Sequence, residues 1–137
     1  MPLRPFRLPA LVLALALAAA APAAQARGEH AERKKGGGLS YTQFPALTAT
    51  VMRANGRRGV LSVEAGIDCP DPVVKTRADL LTPRLRDAYV QFLSIYAAAL
   101  GSGPPDADQI AAGLQRKTDL VMGRPGAKLL LGTVLVN

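Results

Sequence analysis

The sequence is poor in the side chains that most often carry catalysis or bind metals. It contains one histidine, His30, one cysteine, Cys69, and no tryptophan. One histidine and one cysteine cannot form the clusters that metal sites need, and His30 lies in a polar segment that we predict to be flexible, so it cannot be held against a serine or cysteine nucleophile. A single cysteine also excludes an internal disulfide bond. We therefore expect no enzymatic activity, no cofactor and no metal site.

The sequence also lacks a concentrated block of charge. Its 17 lysines and arginines exceed its 10 acidic residues and give a net charge of +7. The excess is spread along the chain and does not form a basic stripe, which argues against a nucleic-acid partner. The densest basic run is Arg33, Lys34 and Lys35, for which we consider contact with the anionic surface of the inner membrane.

Only the N-terminal region holds a long uncharged apolar run. Arg4 and Arg7 precede residues 8–24, which are mostly alanine, leucine and valine, and residues 24–26 read Ala-Gln-Ala. A basic region, an apolar stretch and a small-x-small pattern form the order of a secretory signal peptide. The run is shorter than the roughly 20 apolar residues of a membrane span. We therefore predict a signal peptide over residues 1–26 and a periplasmic location, with an uncleaved inner-membrane tether as the alternative.

A polar segment separates this signal from the rest of the chain. Residues 27–38 are charged and then glycine-rich, and they include His30. They hold too little apolar surface to fold, so we predict a flexible leader. The remaining residues, 39–137, have the size of one small domain.

Two apolar segments around an Asn-Gly pair predict a β-hairpin. Residues 47–53 are rich in β-branched and apolar side chains, Asn55-Gly56 is a tight-turn signal, and residues 60–69 alternate with period two. The alternation puts one apolar set on a single buried face: Leu61, Val63, Ala65, Ile67 and Cys69. Because Cys69 belongs to this face, we expect a buried thiol and not a reactive one.

Three arginines lie at the predicted tip of this hairpin: Arg53, Arg57 and Arg58. Guanidinium groups bind carboxylates well, so this group is our candidate contact with an acidic protein partner. The alternative interpretation is a tip that is merely solvated, because charged residues are ordinary in an exposed turn.

Helix start signals follow twice in close succession. Asp71-Pro72 pairs an N-cap residue with a proline at the first helical position, and Thr82-Pro83 repeats the signal, so either a second helix begins there or the first one kinks. An apolar stripe with helical spacing continues to a stop at Gly101: Leu85, Tyr89, Phe92 and Tyr96. A further helix is predicted from residue 106 to residue 122, with Gly123 as its stop.

The last segment is apolar at nearly every position. Residues 128–136 read KLLLGTVLV, and a strand that is apolar on both faces is typical of the covered centre of a sheet. Strict alternation predicts one face made of Leu129, Leu131 and Leu135. The other face would hold Leu130, Val134 and Val136. The predicted fold class is thus a small single α+β domain, in which an antiparallel hairpin and a C-terminal central strand pack against two to three helices.

The order of these elements resembles the periplasmic domain of the FliL family of flagellar basal body-associated proteins. In that family a strand pair precedes an Asp-Pro helix, a segment of the type Pro-x-(Ile/Leu)-Arg-Asp-Ala follows, and a last helix leads into a short hydrophobic strand. Residues 83–88 read PRLRDA and match the middle segment, and residues 128–137 match the last. The resemblance covers residues 40–137.

The resemblance implies a stomatin-like α+β fold without enzymatic activity. It also implies a structural role beside the flagellar stator, with self-association into partial or full rings, and the family has no catalytic or ligand-binding residues to carry over. Family members usually have a cytoplasmic stub and a membrane helix, whereas this chain has the signal-like residues 1–26. The alternative is therefore a free periplasmic binding or envelope protein of unknown ligand, unrelated to motility.

The signal prediction can be tested on the protein recovered from the cell that produces it. We expect N-terminal sequencing to find Arg27 as the first residue, because signal peptidase cleaves after the small-x-small pattern that ends at Ala26. A start at Met1 or Pro2 in the membrane fraction would instead show an uncleaved anchor.

Overall fold

The structure is a computed structural model that describes residues 38–137. The predicted signal peptide over residues 1–26, and residues 27–37 of the predicted leader with the basic run Arg33, Lys34 and Lys35, lie outside the described residues. The expected α+β class is confirmed, since an antiparallel sheet packs against two helices. In chain order the elements are β1 Tyr41–Gln43, β2 Leu47–Met52, β3 Arg58–Asp68, α1 Pro72–Ala99, α2 Ala107–Met122 and β4 Lys128–Val136.

Strand β3 is the centre of the sheet. β4 pairs with β3 along nearly its whole length, while β2 pairs with its first half and β1 with its last three residues. β1 and β2 therefore share the side of β3 opposite β4 and act as one interrupted strand. Pro45, which has no N–H to donate, lies in the interruption. The adjacent Phe44 N–H still donates to the Ala65 carbonyl at 3.0 Å.

The predicted β2–β3 hairpin is confirmed with its buried face. The five side chains expected on that face are at most 1% exposed: Leu61, Val63, Ala65, Ile67 and Cys69. β2 adds a matching inner row, since Leu47, Ala49 and Val51 are buried and alternate with exposed residues. The two rows form the sheet side of the core.

Within the described sheet the terminal strand β4 is an edge strand, so the expectation of a central strand is wrong for residues 38–137. Among the described residues it pairs with β3 alone. Its apolar run does not result from cover on both faces, because Leu130 and Leu135 remain 40% and 54% exposed. β3 holds the central position instead, since it is the strand that all three others contact.

A bulge in β4 also overturns the predicted division of its side chains. Val134 lies opposite Val63 and Leu131 opposite Ala65, so Glu64 alone faces Gly132 and Thr133. One extra residue in a strand of period two inverts the alternation beyond it. The core-facing residues are therefore Leu129, Leu131, Val134 and Val136, and the outward-facing ones are Leu130 and Leu135.

Helix α1 runs without a break through the second predicted start signal. Its first turn is capped as expected, since Asp71 Oδ1 accepts from the Val73 N–H at 2.8 Å and Pro72 occupies the first turn. Pro83 lies inside the same helix, so no second helix begins there. Tertiary packing explains why the helix continues, because buried residues occur on both sides of Pro83: Val74, Ala78, Leu85, Tyr89, Leu93 and Ala97.

Helix α2 begins and ends where the sequence predicts. Asp106 Oδ1 accepts from the Gln109 N–H at 3.1 Å, and Gly123 closes the helix with a φ of 66°. No basic residue of α2 lies in its last turn. Arg77 of α1 takes that role, because its Nε donates to the Met122 carbonyl at 2.9 Å.

A hydroxyl pair joins the two helices inside the core. The Tyr89 hydroxyl lies 2.6 Å from Thr118 Oγ1, and both side chains are fully buried. Thr118 Oγ1 donates its one hydrogen to the Leu114 carbonyl at 2.9 Å, so Tyr89 must be the donor in the pair. The Phe44 ring meets Tyr89 edge-on, with centroids 5.1 Å apart. The connection between β1 and β2 is thereby packed onto the helices.

The direction of this hydrogen bond predicts unequal costs for its two partners. Thr118→Val leaves the buried Tyr89 hydroxyl without an acceptor, and we expect a loss of about 1–3 kcal/mol in the free energy of unfolding. Tyr89→Phe leaves the Thr118 donation intact and should cost about 0.5–1.5 kcal/mol. Adding Tyr89→Phe to Thr118→Val should recover part of the loss. Urea unfolding measures all three, and a larger cost for Tyr89→Phe would contradict the assignment of the donor.

The same tyrosine predicts a dependence of stability on alkaline pH. Burial raises the pKa of Tyr89 to about 12, with the Thr118 hydrogen bond opposing the rise, whereas an unfolded tyrosine titrates near about 10. The contribution of Tyr89 to stability is complete below the unfolded-state pKa of about 10. Above it the unfolded chain loses the proton first, so stability falls by on the order of 1 kcal/mol per pH unit as pH rises through about 12. Tyr89→Phe should have a shallower slope in this range, and equal slopes would contradict the prediction.

Candidate partner-binding site

The described residues offer little material for a catalytic or metal site. Within residues 38–137 no group of three or more histidine, cysteine and acidic residues could hold a metal ion. Cys69 is 1% exposed, as expected, and its N–H donates to the Ser40 carbonyl at 2.9 Å. Burial raises the pKa of its thiol, while the charge of Lys75 opposes the rise. The thiol is therefore protonated and shielded from reagents at neutral pH.

The three candidate arginines lie at the β2–β3 turn as predicted. Arg53 directly follows β2, Arg57 directly precedes β3, and Arg58 is the first residue of β3. All three are exposed. The hairpin therefore presents three positive charges at the end of its two strands, and we call this group the arginine tip.

Local hydrogen bonds hold the backbone of the arginine tip in place. The Arg53 N–H donates to the Arg57 carbonyl at 2.9 Å, and the Gly56 N–H donates back to the Arg53 carbonyl at 2.9 Å. Asn55 Oδ1 accepts from the Arg57 N–H at 3.0 Å, which is a side-chain turn of the kind asparagine favours. Gly56 has a φ of 74°, a conformation that residues with a side chain rarely adopt. The turn is thus a defined base for the long arginine side chains.

The charges of the arginine tip are not neutralised by neighbours in the described part of the chain. The ion pair found within residues 38–137 joins Lys75 and Asp79 at 2.6 Å on α1, away from the turn. Arginines that have no intramolecular partner keep their hydrogen-bond donors for solvent or for another molecule. No ion pair with another residue of the described domain has to break before the tip binds an acidic partner.

A cleft of about 280 Å³ adjoins the arginine tip. It lies between the β2–β3 turn and the loop that connects α1 to α2. Its apolar lining comes from Val51, Leu100 and Val136. Polar groups are supplied by Arg53, Asn55 and Ser102.

The cleft divides the three arginines into two groups. Arg53 lines it, whereas Arg57 and Arg58 do not. Gly59 explains the position of Arg53, because a Cβ there would lie only 2.8 Å from Arg53 Nε and would overlap the Asn137 carbonyl oxygen. The Arg53 side chain thus lies across the backbone of β3 in space that only glycine leaves open.

The contribution of the α1–α2 loop to this site was missed from the sequence. Gly101, Ser102 and Gly103 line the cleft together with Leu100. Their turn chemistry identified a loop, but its approach to the arginine tip depends on the length and direction of α1. At 28 residues α1 spans about 42 Å, and no local signal in the loop reports where such a helix ends in space.

Within residues 38–137 no helix is both long enough and apolar enough to cross a membrane. No protein-family model matches the chain, and no curated protein matches it. The resemblance over residues 40–137 therefore rests on the order of elements and on a few residues, and it stays a prediction.

Proposed function

We propose that this chain is an exported, non-catalytic interaction protein that acts in the periplasm beside the flagellar stator or basal body. The proposal has two parts, the setting in which the protein acts and the means, that is, the surface by which it binds a partner. The setting comes from the signal-like residues 1–26 and from the resemblance to the FliL family over residues 40–137. The means is the arginine tip, which presents three exposed positive charges at one end of the hairpin.

The observation that carries the proposal is the arginine tip on a hydrogen-bonded turn, for which residues 38–137 supply no ion-pair partner. A guanidinium group presents its N–H donors in a planar fork that matches a carboxylate with two parallel hydrogen bonds. Three such groups within a short turn favour a partner surface rich in aspartate and glutamate. Complementary charge of this kind raises the rate of encounter and suppresses wrong partners. The proposed partner surface on the stator or basal body is therefore acidic.

The basic run outside the described residues adds a second anchor to this proposal. Arg33, Lys34 and Lys35 would follow the cleaved signal closely in the mature chain. A cluster of basic side chains is attracted to anionic lipids over about one Debye length. Contact with the inner-membrane surface would keep the domain near membrane-embedded partners although its signal peptide is removed.

The cleft favours a second candidate function, that of a free periplasmic binding protein. Its volume of about 280 Å³ is near the lower end of small-molecule sites. Val51, Leu100 and Val136 supply apolar surface, and Arg53 supplies one positive charge. These groups suit a small anionic ligand with an apolar part. In this alternative the protein is unrelated to motility.

Charge reversal at the arginine tip tests the interface. We expect Arg57→Glu with Arg58→Glu to weaken binding to the acidic partner at least about tenfold, because two attractive contacts become repulsive. Arg84→Glu with Arg86→Glu is the matched control, since both residues are exposed on α1 and the change in net charge is the same. Co-isolation with basal bodies and swimming in viscous medium are the measurements. Equal behaviour of the two double variants would contradict the tip as the interface.

Deletion of the gene separates the two candidate functions. Loss of swimming in viscous medium supports the flagellar setting, whereas unchanged motility contradicts it. In the second case Arg53→Glu becomes the informative variant, because Arg53 lines the cleft and Arg57 and Arg58 do not. A ligand-binding role predicts loss of binding in Arg53→Glu and none in the tip double variant.

A further inference from the structure

Within residues 38–137, strand β4 has no strand partner on the side opposite β3. Asn137 and Val60 exchange two backbone hydrogen bonds, of 3.0 and 3.1 Å. Residue 137 therefore directs its N–H and C=O toward β3, and because orientation alternates along a strand, Val136 and Val134 direct theirs away from it. Both thus present backbone N–H and C=O groups on the side of β4 that no described strand occupies.

The first half of β4 also directs backbone groups away from β3, but a side chain covers its beginning. The Leu129 N–H donates to Gln115 Oε1 at 2.7 Å and thus points away from β3. Leu131 lies two residues further and has the same orientation. Gln115 Nε2 also donates to the Ala127 carbonyl at 3.0 Å. The side chain of Gln115 covers the edge at residues 127–129, and the open part begins beyond it.

The bulge makes the pattern of β4 symmetric about its own centre. Before Gly132-Thr133 the core-facing residues with outward backbone groups are Leu129 and Leu131. After it they are Val134 and Val136. The outward-facing leucines, Leu130 and Leu135, are placed equally far from the centre. If β4 is read in the reverse direction, core-facing residues therefore fall on core-facing positions, and the outward-facing leucines fall on outward-facing positions.

We propose that two copies of this chain pair antiparallel through β4, about a two-fold axis between Gly132 and Thr133. Leu131 of one copy then lies opposite Val134 of the second copy, with both backbones directed at each other. Leu130 lies opposite Leu135 on the outer face. The sheets of the two copies become one continuous antiparallel sheet.

The symmetry of β4 about its bulge favours a second copy as the occupant of this edge. A strand with the same bulge, placed opposite the first, stays in phase on both sides of Gly132-Thr133. Each outward-facing leucine then lies opposite a leucine, and each core-facing residue lies opposite a core-facing residue. The second copy supplies such a strand by symmetry.

Charge and exposed apolar area agree with this pairing. Edge strands are commonly protected from pairing by lysine or by other charges, yet residues 129–136 carry none, and Lys128 falls outside the paired segment. Leu130 and Leu135, 40% and 54% exposed, would cover each other. A single strand pair buries less accessible surface than a standard stable interface, which buries roughly 1,200–2,000 Å². We therefore expect a dimer with a dissociation constant on the order of micromolar.

Two double variants at the same exposed positions test the pairing and its register. Leu130→Lys with Leu135→Lys places like charges opposite each other twice and should raise the dissociation constant at least about tenfold. Leu130→Lys with Leu135→Glu places opposite charges there and should restore a dimer within about threefold of the unchanged protein. Leu120→Lys, at a 75% exposed position of α2, is the control. Circular dichroism checks that each variant is folded.

Sedimentation velocity on the protein recovered from the producing cell, up to about millimolar concentration, gives the result. A dimer that the two-lysine variant loses and the lysine–glutamate variant keeps supports the proposal. A protein that stays monomeric overturns it, including the case in which residues 1–37 occupy the edge. A dimer that survives in the two-lysine variant overturns it as well, because the interface then lies elsewhere. The inference does not depend on the proposed flagellar setting.

Discussion

Burial of the inner face of β3 is the constraint on which the rest of this structure depends. Four successive inner side chains of that strand are at most 1% exposed: Leu61, Val63, Ala65 and Ile67. Every other strand pairs with β3, and both helices cover the sheet on this side. Apolar burial contributes about 25 cal/mol per Å², so the position of each element is set chiefly by how it covers this row. The irregularities of both neighbouring strands, at Pro45 and at Gly132-Thr133, fall beside Glu64 and leave the row itself intact.

Local signals predicted the parts of the fold that local interactions determine. The alternation over residues 60–69, the cap at Asp71 and the cap at Asp106 each depend on groups within a few residues. Pro83 left two outcomes open, a second helix or a kink in the first. The structure rejects the second helix, because a helix with buried residues on both sides of a proline can tolerate the lost hydrogen bond. The position of β4 was predicted wrongly because a covered central strand and an edge strand with an exposed outer face can have the same apolar sequence. Gly132 was the available sign of a bulge, since glycine inside a strand often marks one.

The sequence likewise predicted one part of the candidate site and missed the other. Its arginines could be identified from the sequence because the Asn55-Gly56 turn places Arg53, Arg57 and Arg58 at one end of the hairpin. The cleft could not, because it forms where that turn meets the α1–α2 loop and Val136. Those contacts join residues far apart in the chain. The turn, the loop and Val136 meet only because α1 and β4 end near each other in space, and no short-range sequence pattern encodes where an element ends in space.

The place of β4 in the chain has a consequence for how the domain folds. β3 acquires its neighbour β4 only after both helices have been traversed, so the pairing between the most distant strands in the sequence involves the central strand of the sheet. Non-local pairing of this kind slows folding, because a long loop must close before the contacts reward it. The hairpin and the helices can form early, but the core stays open on one side until the last strand docks. If residues 1–26 act as the predicted signal peptide and the chain crosses the membrane unfolded, such a delay would keep it competent for translocation, and the core would be completed after the crossing.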